Sequence, residues 1–462
     1  MSSAPVRTAT GIWQPAFVWV TVGAVALIFL AAMQSLAVTT VMPVVSADLD
    51  GDALYAVAFS GTLATSVIGM VAVGAWCDRG GVLAPLTTAV ALFVVGLVIA
   101  GLAANMEWLV AGRLIQGLGT GGQTVALYVV VARVYPPELH GRVFAAFSAA
   151  WVVPSLIGPF LAGAVTEALH WRWVFLGVAA LTVVAFAMVV LRLHGLALHT
   201  DDPSTERVAA RLACAVAVAA GALALSLAGE LGGYAWAVVA ASVVVIAVAS
   251  RPLLPRGTLR SVRGLPSVVL MRGLIAGSLF GAEIYVPYLL IDHYGFSPTW
   301  AGLGLTAAAL AWAGAAWVQG RHGDRLGNTR ITLIGTALLG AAALIAAVTA
   351  LLWLAPGVLV AGWALAGAGM GLMYPRLTVL TLAYSTPQNQ GFNSAALSIS
   401  DSIGAATAIA AMGLVFTALT GTDAAFPAVF AMAAALAALA LVPGLRLGHA
   451  QEDLAGARRG GM

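Results

Sequence analysis

At 462 residues the chain has the length of two or three soluble domains, but 61% of it is hydrophobic and only 8% charged, where soluble proteins run at about half and a quarter. So little polar surface excludes a soluble body and leaves an all-α polytopic membrane protein. The formal charge of +3 rests on 21 basic residues, every one an arginine, and selects no partner by itself.

A spanning helix needs about 20 mainly apolar residues, because lipid offers an open backbone no hydrogen bonds. Fourteen stretches qualify: 17–43, 54–76, 83–104, 108–133, 143–167, 173–194, 209–228, 233–250, 265–291, 299–319, 331–354, 357–383, 392–418 and 424–445. The first reads as a span and not as a removed signal peptide, since no cleavage site follows it. The seventh and eighth are separated by little more than Gly232 and Gly233. Arginine supplies the direction. Connections after even-numbered spans hold Arg79, Arg142, Arg256, Arg260, Arg325 and others, whereas those after odd-numbered spans hold Asp48, Asp52, Glu167, Asp292 and Asp423 with Arg172 as their one arginine. Cytoplasmic loops collect arginine, so both termini are expected inside the cell membrane. Cys77 and Cys214 have no spacing that suggests a disulfide or a metal.

Two motifs recur. "GAWCDRGG" (74–81) and "GRHGDRLG" (320–327) share the spelling G-x-x-x-D-R-x-G at an offset of 246 (324 − 78), and "VAGRLIQGLGTG" (110–121) returns as "VAGWALAGAGMG" (360–371) at an offset of 250 (360 − 110). Two matches at nearly one offset imply a duplicated six-span unit. A plain tandem of such units would be offset by about two hundred residues, and the excess is enough for two more spans. The expected organisation is a six-helix bundle over 1–194, an inserted pair with its linkers over 195–263, and a second six-helix bundle over 264–462.

These segments resemble the signatures of the major facilitator superfamily. The first copy, with Gly74, Asp78, Arg79 and Gly81, is similar to the loop signature between its second and third spans. "LVAGRLIQGLGTGG" (109–122), with Arg113, is similar to the fourth-span signature. "VVPSLIGPFLAGAV" (152–165), with Gly158, Pro159 and Gly163, resembles the fifth-span signature of its exporters, and the inserted pair resembles the fourteen-span drug:proton antiporter branch. Two departures stand out. Val82 and Leu83 occupy places where the family usually has basic residues, and Gln34, which cannot take up charge, stands where many fourteen-span members carry an aspartate.

For the loop copies, Asp78 and Arg79 with Asp324 and Arg325 suit a gate latch that pairs with Arg142, or a plain topology-setting turn. Arg113 lies inside a span, where charge is expensive and functional by default; the resemblance implies a part in proton coupling, and the plainer reading is snorkelling. Arg376 is read as the other intramembrane arginine, either meeting an anionic group or anchoring to the inner leaflet. Glu283 and Asp401 are intramembrane acids, and burial of a carboxyl in apolar surroundings favours its protonated form. Each is a candidate coupling site or a satisfied polar group, Asp401 through a stripe formed by Ser394, Ser398 and Ser402. Gln34 falls opposite Glu283 by the repeat. The cargo contacts expected between the bundles are Gln34, Gln123, Tyr128, Trp151, Tyr285 and Arg376.

The sequence contains no phosphate loop, metal spacing or nucleic-acid patch, so no enzyme, metal or cofactor is expected. The expected function is proton-coupled export of amphipathic or hydrophobic molecules by a monomer, with antibiotic resistance as its outcome. Its partners are the lipid bilayer, a small-molecule cargo and protons, and no nucleic acid. A lipid or metabolite exporter of the same fold is the alternative. A membrane enzyme would need an acid or histidine cluster at one depth, and a sensor would need an attached soluble domain.

Overall fold

The computed structural model describes residues 11–15, 17–193, 208–385 and 390–448. Among these there are fifteen α-helices and no strand. They are α1 (Val18–Asp48), α2 (Tyr55–Gly80), α3 (Leu83–Gly101), α4 (Met106–Val134), α5 (Pro137–Ala168), α6 (Arg172–Leu193), α7 (Val208–Leu227) and α8 (Ala235–Ala249). Then follow α9 (Leu265–Glu283), α10 (Tyr285–Asp292), α11 (Pro298–Leu326), α12 (Asn328–Leu352), α13 (Pro356–Ala383), α14 (Gln390–Ala418) and α15 (Ala425–Gly444). Fourteen spans are long and apolar enough to cross a membrane, α9 and α10 together making the ninth.

That ninth span departs from the uninterrupted helix its composition predicts. Pro287 lacks the N–H that would bond the Glu283 carbonyl, and its ring crowds that carbonyl. The helix breaks at Ile284 as a result. The sharp turns at the two loop copies have an equally local cause. Gly81 and Gly327, the last glycines of the repeated spelling, take φ of 92° and 77°, where a side chain would be strained.

Packing repeats along the chain. α1 lies on α5 and α6, α2 on α4, and α3 on α4 and α6; likewise α9 lies on α14 and α15, α11 on α13, and α12 on α13 and α15. The two sets of six spans meet along two seams, α2 against α14 and α5 against α11. Hydrogen bonds cross both: Ser66 donates to Ser402 at 3.2 Å, and Thr306 to the Leu156 carbonyl at 3.1 Å. Such bonds contribute about 0.6 kcal/mol each in membrane proteins. The closeness of the backbones therefore rests mainly on small residues. A Cβ on Gly163 would meet the Thr299 Cα at 2.6 Å, and one on Gly302 would run into the Pro159 carbonyl.

α7 lies across the outside of one seam, touching both α2 and α14, with α8 packed behind it. Ser226 shares a 2.9 Å hydrogen bond with Ser60 of α2, and the Arg211 guanidinium sits 5.5 Å from the Phe392 ring of α14. Where α1 ends and α6 begins, Trp171 donates its indole N–H to Asp48 at 2.9 Å and Arg172 donates to the Ala103 carbonyl at 2.9 Å, fastening α1, α3 and α6 together.

Candidate functional site

The loops that carry Asp48, Asp52, Asp292 and Asp423 share one end of the bundle, here the acidic end; the opposite end carries the arginine-rich loops. The two sets of six spans are joined at the acidic end. The Tyr55 hydroxyl, in the first turn of α2, donates to the Ile284 carbonyl at 2.8 Å, at the break above Glu283. Its ring lies 4.9 Å from Tyr288 and 6.0 Å from Tyr285, and Phe416 and Phe426 continue the cluster. Beside it, the Glu167 carboxylate accepts from the Thr299 N–H at 2.8 Å, so α5 caps the amino terminus of α11. Outside this aromatic plug is a cavity of about 430 Å³ lined by Asp52, Tyr288, Asp292, His293 and Phe426 among others.

Deeper, towards the arginine end, stands a polar cluster built on α9, α13 and α14. Arg272 Nε donates to Asp401 Oδ1 at 3.0 Å, and the Tyr374 hydroxyl donates to the same oxygen at 2.7 Å. Arg272 Nη1 donates to the Tyr374 carbonyl at 3.1 Å and to Thr378 at 3.2 Å, and the guanidinium lies 3.3 Å from the Tyr374 ring centroid. The side chains of Arg272 and Asp401 keep 11% and 22% of their surface accessible, so the pair is sheltered without being sealed. Trp312 of α11 meets Tyr374 edge-on at 5.3 Å. Tyr128 of α4 lies within electrostatic range of both Arg272 and Asp401 and stacks on Phe147 of α5 at 6.4 Å. The cluster thus draws on both sets of six spans. The carboxylate holds its arginine by charge as well as by hydrogen bonds, so the pair is a charge-dependent link between α9 and α14.

Arg272 corrects the reading of Arg113 and Arg376 as the two intramembrane arginines. It sits in the ninth apolar run, within α9, where no motif in the sequence marks it. The serine stripe is corrected too. Ser398 donates to the Ser394 carbonyl and Ser402 bonds Ser66, while Asp401 is held by Arg272 and Tyr374.

Arg113 is buried, with Nε donating to the Ala58 carbonyl at 3.1 Å and Nη1 to Gln116 Oε1 at 2.7 Å. Gln123 donates to the Leu27 carbonyl at 3.1 Å. Gln34 is fully buried, and neither of its amide atoms has a partner among the described residues. Glu283 is half-buried at the helix break, and no hydrogen bond joins it to Gln34. Tyr285 belongs to the aromatic plug and Trp151 is exposed. Arg376 does not join the cluster around Asp401; its Nε donates to Asn328 Oδ1 at 2.6 Å, at the start of α12.

Arg133, which the sequence did not single out, makes a comparable brace by donating to the Cys77 carbonyl at 2.8 Å at the end of α2. Arg142 and Arg325 are exposed, and a Cβ on Gly74 would touch Val125 at 3.5 Å. The side chains of Asp78, Arg79 and Asp324 lie outside the described residues. Gly158 faces Met33 of α1, whereas Pro159 and Gly163 face α11. No group of residues suited to a metal ion occurs among the described residues.

Residues 24–356 match the sequence pattern of the Major Facilitator Superfamily. The multidrug efflux pump SdrM of Staphylococcus aureus is 23% identical over 408 residues, which cover 86% of this chain and 89% of that protein. The multidrug transporter protein MdtP of Bacillus subtilis is 24% identical over 410 residues, 86% of this chain and 75% of that protein. An uncharacterized transporter of Schizosaccharomyces pombe is 34% identical over 150 residues, 32% of this chain and only 25% of that relative. Among solved structures, a POT family transporter in complex with 5-aminolevulinic acid superposes with a TM-score of 0.69 at 14% identity, over 93% of this chain and 96% of that one. A likeness at that identity speaks for the fold alone.

Proposed function

The chain belongs to the major facilitator superfamily, and on that premise we propose that it is a proton-coupled exporter of amphipathic or hydrophobic small molecules in a cell membrane. The six-span units over 1–194 and 264–462 are the bodies that rock, with 195–263 as an insert between them. With the arginine end in the cytoplasm, the plug of Tyr55, Tyr285 and Tyr288 is a closed outer gate, and the arrangement is inward-facing. The efflux pumps among the relatives support export as the direction.

One observation carries the reading: the Arg272–Asp401 pair, braced by Tyr374 and left partly accessible between the two units. Protonating Asp401 removes the charge that holds Arg272. A ligand moves a two-state equilibrium only through its differential affinity for the two states. Proton and cargo are coupled if the inward and outward arrangements hold this pair differently. Glu283, at the break beneath the gate, is a second carboxyl on the same route.

The test is transport in proteoliposomes with an imposed pH gradient. Asp401→Asn is expected to abolish proton-driven efflux while downhill exchange of cargo continues. Gradient-driven efflux at the wild-type rate in that variant would remove Asp401 from the coupling step. The same assay on Glu283→Gln decides whether Glu283 takes part.

A further inference from the structure

Between α8 and α9 the chain crosses the arginine end as a folded segment. Residues 250–264 make two short helical turns, Arg251–Leu253 and Thr258–Arg260. Gly257 enters the second turn at φ 86° and Ser261 leaves it at φ 51°, a left-handed conformation that a serine keeps only when its surroundings hold it. The holding contacts are visible. Ser261 Oγ lies 3.1 Å from Ser267 Oγ, and the Ser261 carbonyl accepts from Arg446 Nη1 at 3.2 Å. The Gly264 N–H donates in return to the Arg446 carbonyl at 3.0 Å, so the segment and the chain leaving α15 form one platform. Leu253, Leu254, Thr258 and Ser261 are buried beneath it.

The exposed face of this platform has a different composition. Residues 250–264 contain four arginines and no acid. Arg251, Arg256, Arg260 and Arg446 are exposed, and among the described residues Arg251, Arg256 and Arg260 have no carboxylate partner. Set among these arginines, Leu259, Val262 and Leu445 leave 45%, 49% and 65% of their surface accessible. The platform also borders the lipid. Its first turn touches α7 and α8, and α8, on the outside of the bundle, exposes Val243, Val244 and Val248. A topology signal needs only the charge. Leucine and valine exposed between arginines at headgroup depth suit a surface that takes phosphate by charge and the acyl boundary by aliphatic contact.

We infer that Arg251, Arg256, Arg260 and Arg446, with Leu259, Val262 and Leu445, form a binding surface for anionic phospholipid. The guanidinium groups donate to phosphate oxygens, and the three aliphatic side chains enter the bilayer beside the headgroup. On the proposed topology this lipid belongs to the cytoplasmic leaflet. The inference does not depend on what the protein transports.

The test places a photoreactive p-benzoylphenylalanine at Val262 of the full-length chain, in nanodiscs of phosphatidylglycerol and phosphatidylcholine in equal parts. Mass spectrometry then counts the crosslinked lipids. Phosphatidylglycerol adducts are expected to outnumber phosphatidylcholine adducts by at least about fivefold, the contribution of one arginine near an anionic surface. The combined variant Arg251→Gln, Arg256→Gln, Arg260→Gln should return the ratio to even. Arg321→Gln, which removes an exposed arginine of the same end on α11, should leave the preference in place. Should the combined variant not fold, wild type at about 1 M salt serves instead, since the screening length there is about 3 Å, and its preference should fall. Even adducts in wild type, or none with lipid, overturn the inference. So does a preference that survives both the combined variant and high salt, or one that Arg321→Gln removes equally well.

Discussion

The hydroxyl of Tyr55 reaches the Ile284 carbonyl at the break between α9 and α10, a polar link between the two units alongside that of Glu167 with Thr299. Tyr55→Phe keeps the stacked rings and leaves the Ile284 carbonyl buried without this donor. Losing one such hydrogen bond costs about 0.5–1.5 kcal/mol, so the variant is expected to populate the state open at the acidic end several-fold more. Spin-label distances between the acidic ends of α2 and α10 would report it; an unchanged distribution would show that the rings alone close the gate. Single residues were also the hardest part to read from sequence. Asp401 was visible as an acid in an apolar run, but its partner lies 129 positions away on α9. Arg272 carries no local mark of pairing, because the pairing is made only when α9, α13 and α14 pack.

At the scale of elements, the fifth-span signature gains a physical account. Gly163 and Gly302 let α5 and α11 approach until backbone meets backbone, and α5 caps α11 through Glu167. The signature marks a seam, and on the proposed rocking of the two units that seam must slide or part. Gly163→Val would wedge it. Overpacking typically costs about 1–3 kcal/mol, so a chain that still inserts but has a lowered thermal midpoint and little transport is the expected result. Wild-type transport by that variant would contradict the close approach. Glycines at the two turns were legible for a similar reason, since positive φ is a local demand that spelling alone reveals. The break at Ile284 was half legible: Pro287 announces a kink, but nothing in the chain announces that Tyr55 will occupy it.

For the whole molecule, the count of spans and their order followed from hydropathy and charge, both strong and local signals. The offset between repeated motifs pointed to an insert, but not to where it would lie. It lies against α2 and α14. The pseudo-symmetric packing offers two equivalent flanks to the surrounding lipid, and the insert occupies one. A solute dissolved in the hydrocarbon therefore meets the junction of the two units only along α5 and α11, where Trp151, Ile157, Leu310 and Trp317 are exposed. On the proposed export mechanism, recruitment from the membrane would be one-sided. A lipid-soluble maleimide should accordingly block transport from a cysteine at Trp317 and spare it from one at Trp236 on the outer face of α8; equal block at both would mean that the covered flank admits solute as well.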